Sequence, residues 1–107
     1  LRKYQHFYGD NFKVEFPKGS GEMLSLGAVA DQISDRLVNM FLPNDEGRRP
    51  CLANQEPYTQ GREWANHVLF YEYFHGDTGR GLGASHQTGW TSLVVTLMRD
   101  RVRAGEA

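Results

Sequence analysis

Glu72 is the residue whose type and setting point most directly to chemistry. It is one carboxylate among four aromatic rings, Phe70, Tyr71, Tyr73 and Phe74, and a loop containing Gly76, Gly79, Gly81, Gly83 and Gly89 follows it. A carboxylate in such company loses hydration, and desolvation raises a carboxyl pKa toward the range useful for acid–base work. The same spacing also fits a surface glutamate on an aromatic-rich strand, because successive side chains of a strand face opposite ways. Other chemistries fail on their spacing. His67, His75, Asp77 and His86 follow no zinc signature, being neither three nor four apart on a helix nor accompanied by cysteines. Ser85 has Ala84 and His86 as neighbours rather than the glycines of a nucleophile elbow. Gly79-Arg80-Gly81-Leu82-Gly83 leads to Gly89-Trp90-Thr91, where a phosphate loop would end in Gly-Lys and a hydroxyl residue. What survives is a carbohydrate site, in which rings stack on apolar sugar faces and a carboxylate directs a water at the anomeric carbon.

The run Tyr71-Glu72-Tyr73-Phe74-His75-Gly76-Asp77-Thr78-Gly79, followed by Gly81, Gly83 and Ala84-Ser85-His86-Gln87-Thr88-Gly89-Trp90-Thr91, closely resembles the C-terminal catalytic segment of glycoside hydrolase family 63. The likeness is greatest to the bacterial members and extends upstream through Tyr8-Gly9-Asp10, Phe12-Lys13-Val14-Glu15 and Gly47-Arg48-Arg49-Pro50. This resemblance implies a mainly α fold with short β segments, the C-terminal fragment of an (α/α)6 barrel, with residues 1–107 forming a single partial domain. It implies inverting hydrolysis of α-linked glucosides or related sugars, with two carboxyl groups roughly 6.5 to 9.5 Å apart so that a water fits between them and the ring. No metal and no cofactor enter that chemistry. Glu72 stands where the family places its general base. Tyr71, Tyr73, Trp64, His86, Gln87 and Trp90 are the implied substrate contacts, with His86 equally open to packing around the loop and Trp90 read rather as packing than as a sugar contact. The family's general acid is an aspartate well upstream, and no segment here matches it. The implied partners are therefore a carbohydrate substrate and an upstream barrel segment carrying the acid, and the isolated chain is expected to be inactive. The competing class is a non-enzymatic helical module that hides its apolar faces by self-association or by docking on a partner.

Several elements must position these residues. Leu1, Tyr4, Phe7 and Tyr8 recur at helical spacing and Gly9 supplies a stop. That helix has no capping residue in front of it, from which the natural polypeptide is expected to continue upstream. Phe12, Val14 and Phe16 alternate with Lys13 and Glu15 as a short strand ended by Pro17, and Lys18 to Gly21 form a turn. From Ser25, an N-cap, an apolar stripe runs through Leu26, Val29, Ile33, Leu37, Met40 and Phe41 until Pro43. Residues 51 to 66 read as an ordered loop with Tyr58 and Trp64 as anchors, and residues 69 to 74 as an extended segment. A second helix starts at Thr88 or Trp90, buried in its first turns through Leu93, Val94, Val95, Leu97 and Met98 and exposed at Arg99, Asp100, Arg101 and Arg103.

Composition sets the outer limits. The 107 residues carry a formal net charge of −1, which gives no electrostatic reason to expect nucleic acid or an anionic membrane. The longest apolar run, near Leu93 to Met98, is far below the roughly 20 residues of a membrane span. Cys51 is the single cysteine and closes no internal disulfide. A soluble, cytoplasmic chain is the expectation.

Overall fold

The structure, a computed structural model, describes residues 1–52, 67–85 and 89–106. In chain order its elements are α1 (Arg2–Tyr8), β1 (Lys13–Glu15), β2 (Met23–Ser25), α2 (Leu26–Asn39), β3 (Tyr73–Phe74), β4 (Gly81–Leu82), a 3-10 turn (Trp90–Leu93) and α3 (Val94–Glu106). The chain divides into two compact units, Leu1–Arg36 and Leu37–Ala107.

In the first unit, α1 ends where expected. Gly9 adopts φ +75° and donates its amide to the Gln5 carbonyl. β1 pairs antiparallel with β2, Val14 opposite Leu24. Two side chains hold the start of α2. Ser25 Oγ accepts the Ala28 amide at 3.2 Å, and Gln5 Oε1 accepts the Gly27 amide at 2.8 Å. The first four amides of a helix lack intrahelical partners, so these two acceptors satisfy donors that would otherwise need water. Gln5 in turn donates to Asp10 at 2.8 Å, so one side chain ties α1, the following loop and α2 together. Leu26, Val29 and Ala30 form the buried face of α2 here.

The second unit has its core at Val38, Phe41, Cys51, Leu52, Tyr71 and Val94, with Phe70, Phe74 and Leu97 packed against it. The Phe41 ring meets Phe70 at 5.8 Å and Phe74 edge-on at 5.4 Å. Burying side chains of this size stabilises by roughly 1.5 to 3 kcal/mol each. A relay of backbone bonds threads the core: Cys51 donates to the Met40 carbonyl, and Gly81 donates to the Cys51 carbonyl, both at 2.9 Å. Arg49 closes the end of α2 by donating from Nη1 to the Phe41 carbonyl.

This architecture corrects the fold expectation. Three α-helices and two small antiparallel sheets among the described residues are too little for a mainly α segment of an (α/α)6 barrel. A toroid is built from helices laid side by side. Among the described residues the extensive contacts between elements are β1 with β2, β3 with β4, and the 3-10 turn with α3. Two local expectations also shift. Met23–Ser25 is a strand, where the sequence predicts only a cap at Ser25, and the second helix begins as a 3-10 turn whose Trp90 and Leu93 are exposed rather than buried. Within the expected stripe of α2, Leu37 is exposed and Val38 takes the core position. Among the described residues no helix is long and apolar enough to cross a membrane.

Candidate functional site

The segment that carries Glu72 is a β-hairpin. β3 and β4 pair antiparallel, Tyr73 opposite Leu82 and Phe74 opposite Gly81. The pairing continues beyond the strands, with the Glu72 amide donating to the Ala84 carbonyl at 3.1 Å and the His75 amide to the Arg80 carbonyl at 2.9 Å. Tyr71 anchors the hairpin from below. It is 3% exposed, and its ring lies so close over Gly81 that a Cβ there would meet ring carbons at 2.2 Å. Only a glycine accommodates that ring.

One residue on, the chain faces the other way. Glu72 is exposed, and its carboxylate lies across Gly83, where a Cβ would meet Oε2 at 2.5 Å and the Tyr73 ring at 3.0 Å. Gly83 adopts φ +75°, a backbone conformation that suits glycine. The glycine loop thus serves the two faces of the hairpin separately, Gly81 receiving the buried tyrosine and Gly83 making room for the exposed carboxylate. Gly79, at φ +76° and packed against Met40 and Pro50, completes the turn.

The four rings around Glu72 are divided. Phe70 and Phe74 pack on Phe41, Tyr71 is buried, and Tyr73, 54% exposed, is the ring that accompanies Glu72 beside Gly83. The expected aromatic enclosure of the carboxylate is therefore not formed: Phe70, Tyr71 and Phe74 turn to the core, and of the four rings Tyr73 stays beside the exposed carboxylate. Tyr71, read from sequence as a sugar contact, occupies the core instead. Trp90 is 58% exposed at the start of the 3-10 turn. It borders a groove of about 350 Å³ whose walls include Met40, Phe41, Phe74, Leu93 and Leu97, an almost wholly apolar surface on which Glu72 does not border. Trp64, His86 and Gln87 lie outside the described residues.

His75 has a role that spacing did not reveal. Its Nδ1 accepts the amides of Asp77 at 3.2 Å and Thr78 at 3.3 Å, capping the turn between β3 and β4. The signal available in sequence was a polar side chain two and three residues before amides in a glycine-bounded turn, the arrangement familiar from Asx turns. Among the described residues no three His, Cys, Asp or Glu side chains converge on a point that could hold a metal. Cys51 is fully buried and burial pushes its thiol up to about 11, against the smaller opposing pull of Arg49.

No protein-family model matches the chain, and no solved structure matches it. It is similar to Uncharacterized protein YMR196W of Saccharomyces cerevisiae, 42% identical over 107 residues. That match takes in 94% of this chain and 9% of the yeast protein, so the chain spans a small part of its relative's length.

Proposed function

We propose that this chain is the part of an inverting glycoside hydrolase that supplies the general base, Glu72, toward α-linked glucosides or related sugars. The observation that carries the reading is the Glu72 carboxylate itself, held by a hairpin whose other face is locked into the core by Tyr71 over Gly81, and left accessible beside Gly83 and Tyr73. A base that activates water needs a fixed carboxylate open to one side, and Tyr73 offers a ring face against which a sugar can lie. The general acid comes from elsewhere in the full-length protein, roughly 6.5 to 9.5 Å from Glu72 in the assembled site. Its motif resemblance to family 63 and its small share of the yeast relative's length both support this division. A reducing, cytoplasmic setting belongs to the same reading and accords with the lone buried thiol of Cys51.

The test uses the full-length protein with Glu72→Gln, which keeps shape and hydrogen bonding but removes the ionisable oxygen. Hydrolysis of α-glucosides should fall by at least about 10²-fold, the lower end of a general base's contribution. The anomer first released by the unmodified enzyme, read by NMR, should be inverted. Undiminished turnover or a retained anomer refutes the assignment.

A second reading is favoured by the apolar groove beside Trp90 and Leu93: association through this face, without catalysis.

A further inference from the structure

The turn His75 to Arg80 is held by an unusual acceptor. An imidazole nitrogen can receive a hydrogen bond only while it carries no proton, and His75 Nδ1 receives two, from the amides of Asp77 and Thr78. The turn has other supports: the His75 amide to the Arg80 carbonyl and the Gly79 amide to the His75 carbonyl, both at 2.9 Å, and the Arg80 amide to Thr78 Oγ1 at 3.3 Å. These hold its base and its closing residues, whereas the amides at its crown depend on the imidazole. We propose that His75 is a protonation switch: neutral, it caps the crown of the β3–β4 turn through Nδ1, and doubly protonated, it releases Asp77 and Thr78 and loosens the hairpin that carries Glu72.

The direction follows from what each form can do. The imidazolium has two donors and no acceptor, so both bonds are lost as pH falls and the ring charges. The charged groups of the turn are Asp77 and Arg80, on the same loop as His75. The segment packed against the turn brings Met40 and Pro50 to Gly79 and the Cys51 carbonyl to the Gly81 amide, and the Cys51 thiol stays neutral throughout this range. The switch concerns the fold of the turn and does not depend on the glycosidase reading.

Nuclear magnetic resonance of the 107-residue chain decides the matter. Long-range proton–nitrogen correlation at neutral pH should show His75 with its proton on Nε2. As the ring takes up its second proton, the Asp77 and Thr78 amides should shift with the same midpoint, and their protection against exchange, taken relative to the intrinsic rate at each pH, should fall by roughly threefold to tenfold, the loss of one modest hydrogen bond each. His75→Asn keeps a short acceptor for the turn amides but cannot titrate, so Asp77 and Thr78 should stay protected across the same interval. His75→Ala should show the lowered protection at every pH. A proton on Nδ1 at neutral pH, or amide changes that persist in His75→Asn and so belong to Asp77, overturns the proposal. If His75→Ala fails to fold, the tautomer and the titration of the unmodified chain still decide it.

Discussion

Gly81 and Gly83 sit two residues apart and answer opposite needs, so replacing each by alanine should fail in a different way. At Gly81 the added methyl would fall on the Tyr71 ring at 2.2 Å, a clash inside the core. Overpacking of this kind costs about 1 to 3 kcal/mol or more, and urea denaturation should register it. The penalty should largely vanish when Tyr71→Ala is present as well, since the clash needs the ring; a double-mutant cycle with no coupling would show that the backbone, rather than Tyr71, demands glycine. At Gly83 the strain is mainly conformational, because φ +75° is costly for alanine by about 1 to 2 kcal/mol. There the methyl also displaces the Glu72 carboxylate. On the proposed function, Gly83→Ala in the full-length protein should therefore reduce turnover more than its stability loss explains, whereas Gly81→Ala should reduce both together.

At the scale of elements, local pattern was enough for some parts and not for others. The α2 stripe, its Ser25 cap and the Gly9 stop were legible because a helix's periodicity and caps are set by residues within a turn or two. β2 was not legible. Met23-Leu24-Ser25 has no alternation of its own and is a strand through its pairing with Lys13 to Glu15. β4 was hidden for the same reason, Gly81-Leu82 reading as loop until Tyr73 and Phe74 supply its partner. The exposure of Trp90 and Leu93 depends on what lies across from the 3-10 turn, which no period within the segment encodes. Glu72 stands out in the sequence by its surroundings, but which rings face it is decided by the hairpin. Within the second unit, the short stretch at Cys51 joins the end of α2 to the hairpin, its backbone bonding Met40 on one side and Gly81 on the other. Its thiol gives a pH test of that junction. With a folded-state pKa of about 11 against an ordinary 9.0, the folded state resists ionisation, so the stability held below pH 9 should decline as pH rises toward 11. The slope should exceed that of Cys51→Ala by on the order of 2 kcal/mol across the interval, measured by denaturation at each pH. Equal slopes would mean that Cys51 ionises freely and the junction is open to water.

At the scale of the molecule, the question is what covers the apolar face formed by the groove, Trp90 and Leu93. Leu93 is 63% exposed and Val95 56%, next to a groove whose lining is almost free of polar atoms. Surface of this kind draws chains together by a non-directional force that added salt does not screen. The 107-residue chain alone should therefore associate with concentration in sedimentation velocity runs, and should do so at high as well as low ionic strength. Leu93→Gln should weaken that association by about tenfold or more, the equivalent of burying one leucine less. The same substitution separates the two functional readings, because it costs the full-length protein stability in one and leaves its stability unchanged in the other. If the full-length protein lays its own chain on this face, Leu93→Gln should lower the full-length protein's stability by about 1.5 to 3 kcal/mol while making the isolated chain more monomeric. If the face exists for a second copy or another protein, the full-length protein should keep its stability and lose its assembly instead. An isolated chain that stays monomeric at every concentration, with Leu93→Gln indistinguishable from it, would remove the association reading and leave the exposed carboxylate of Glu72 as the feature by which this molecule has to be judged.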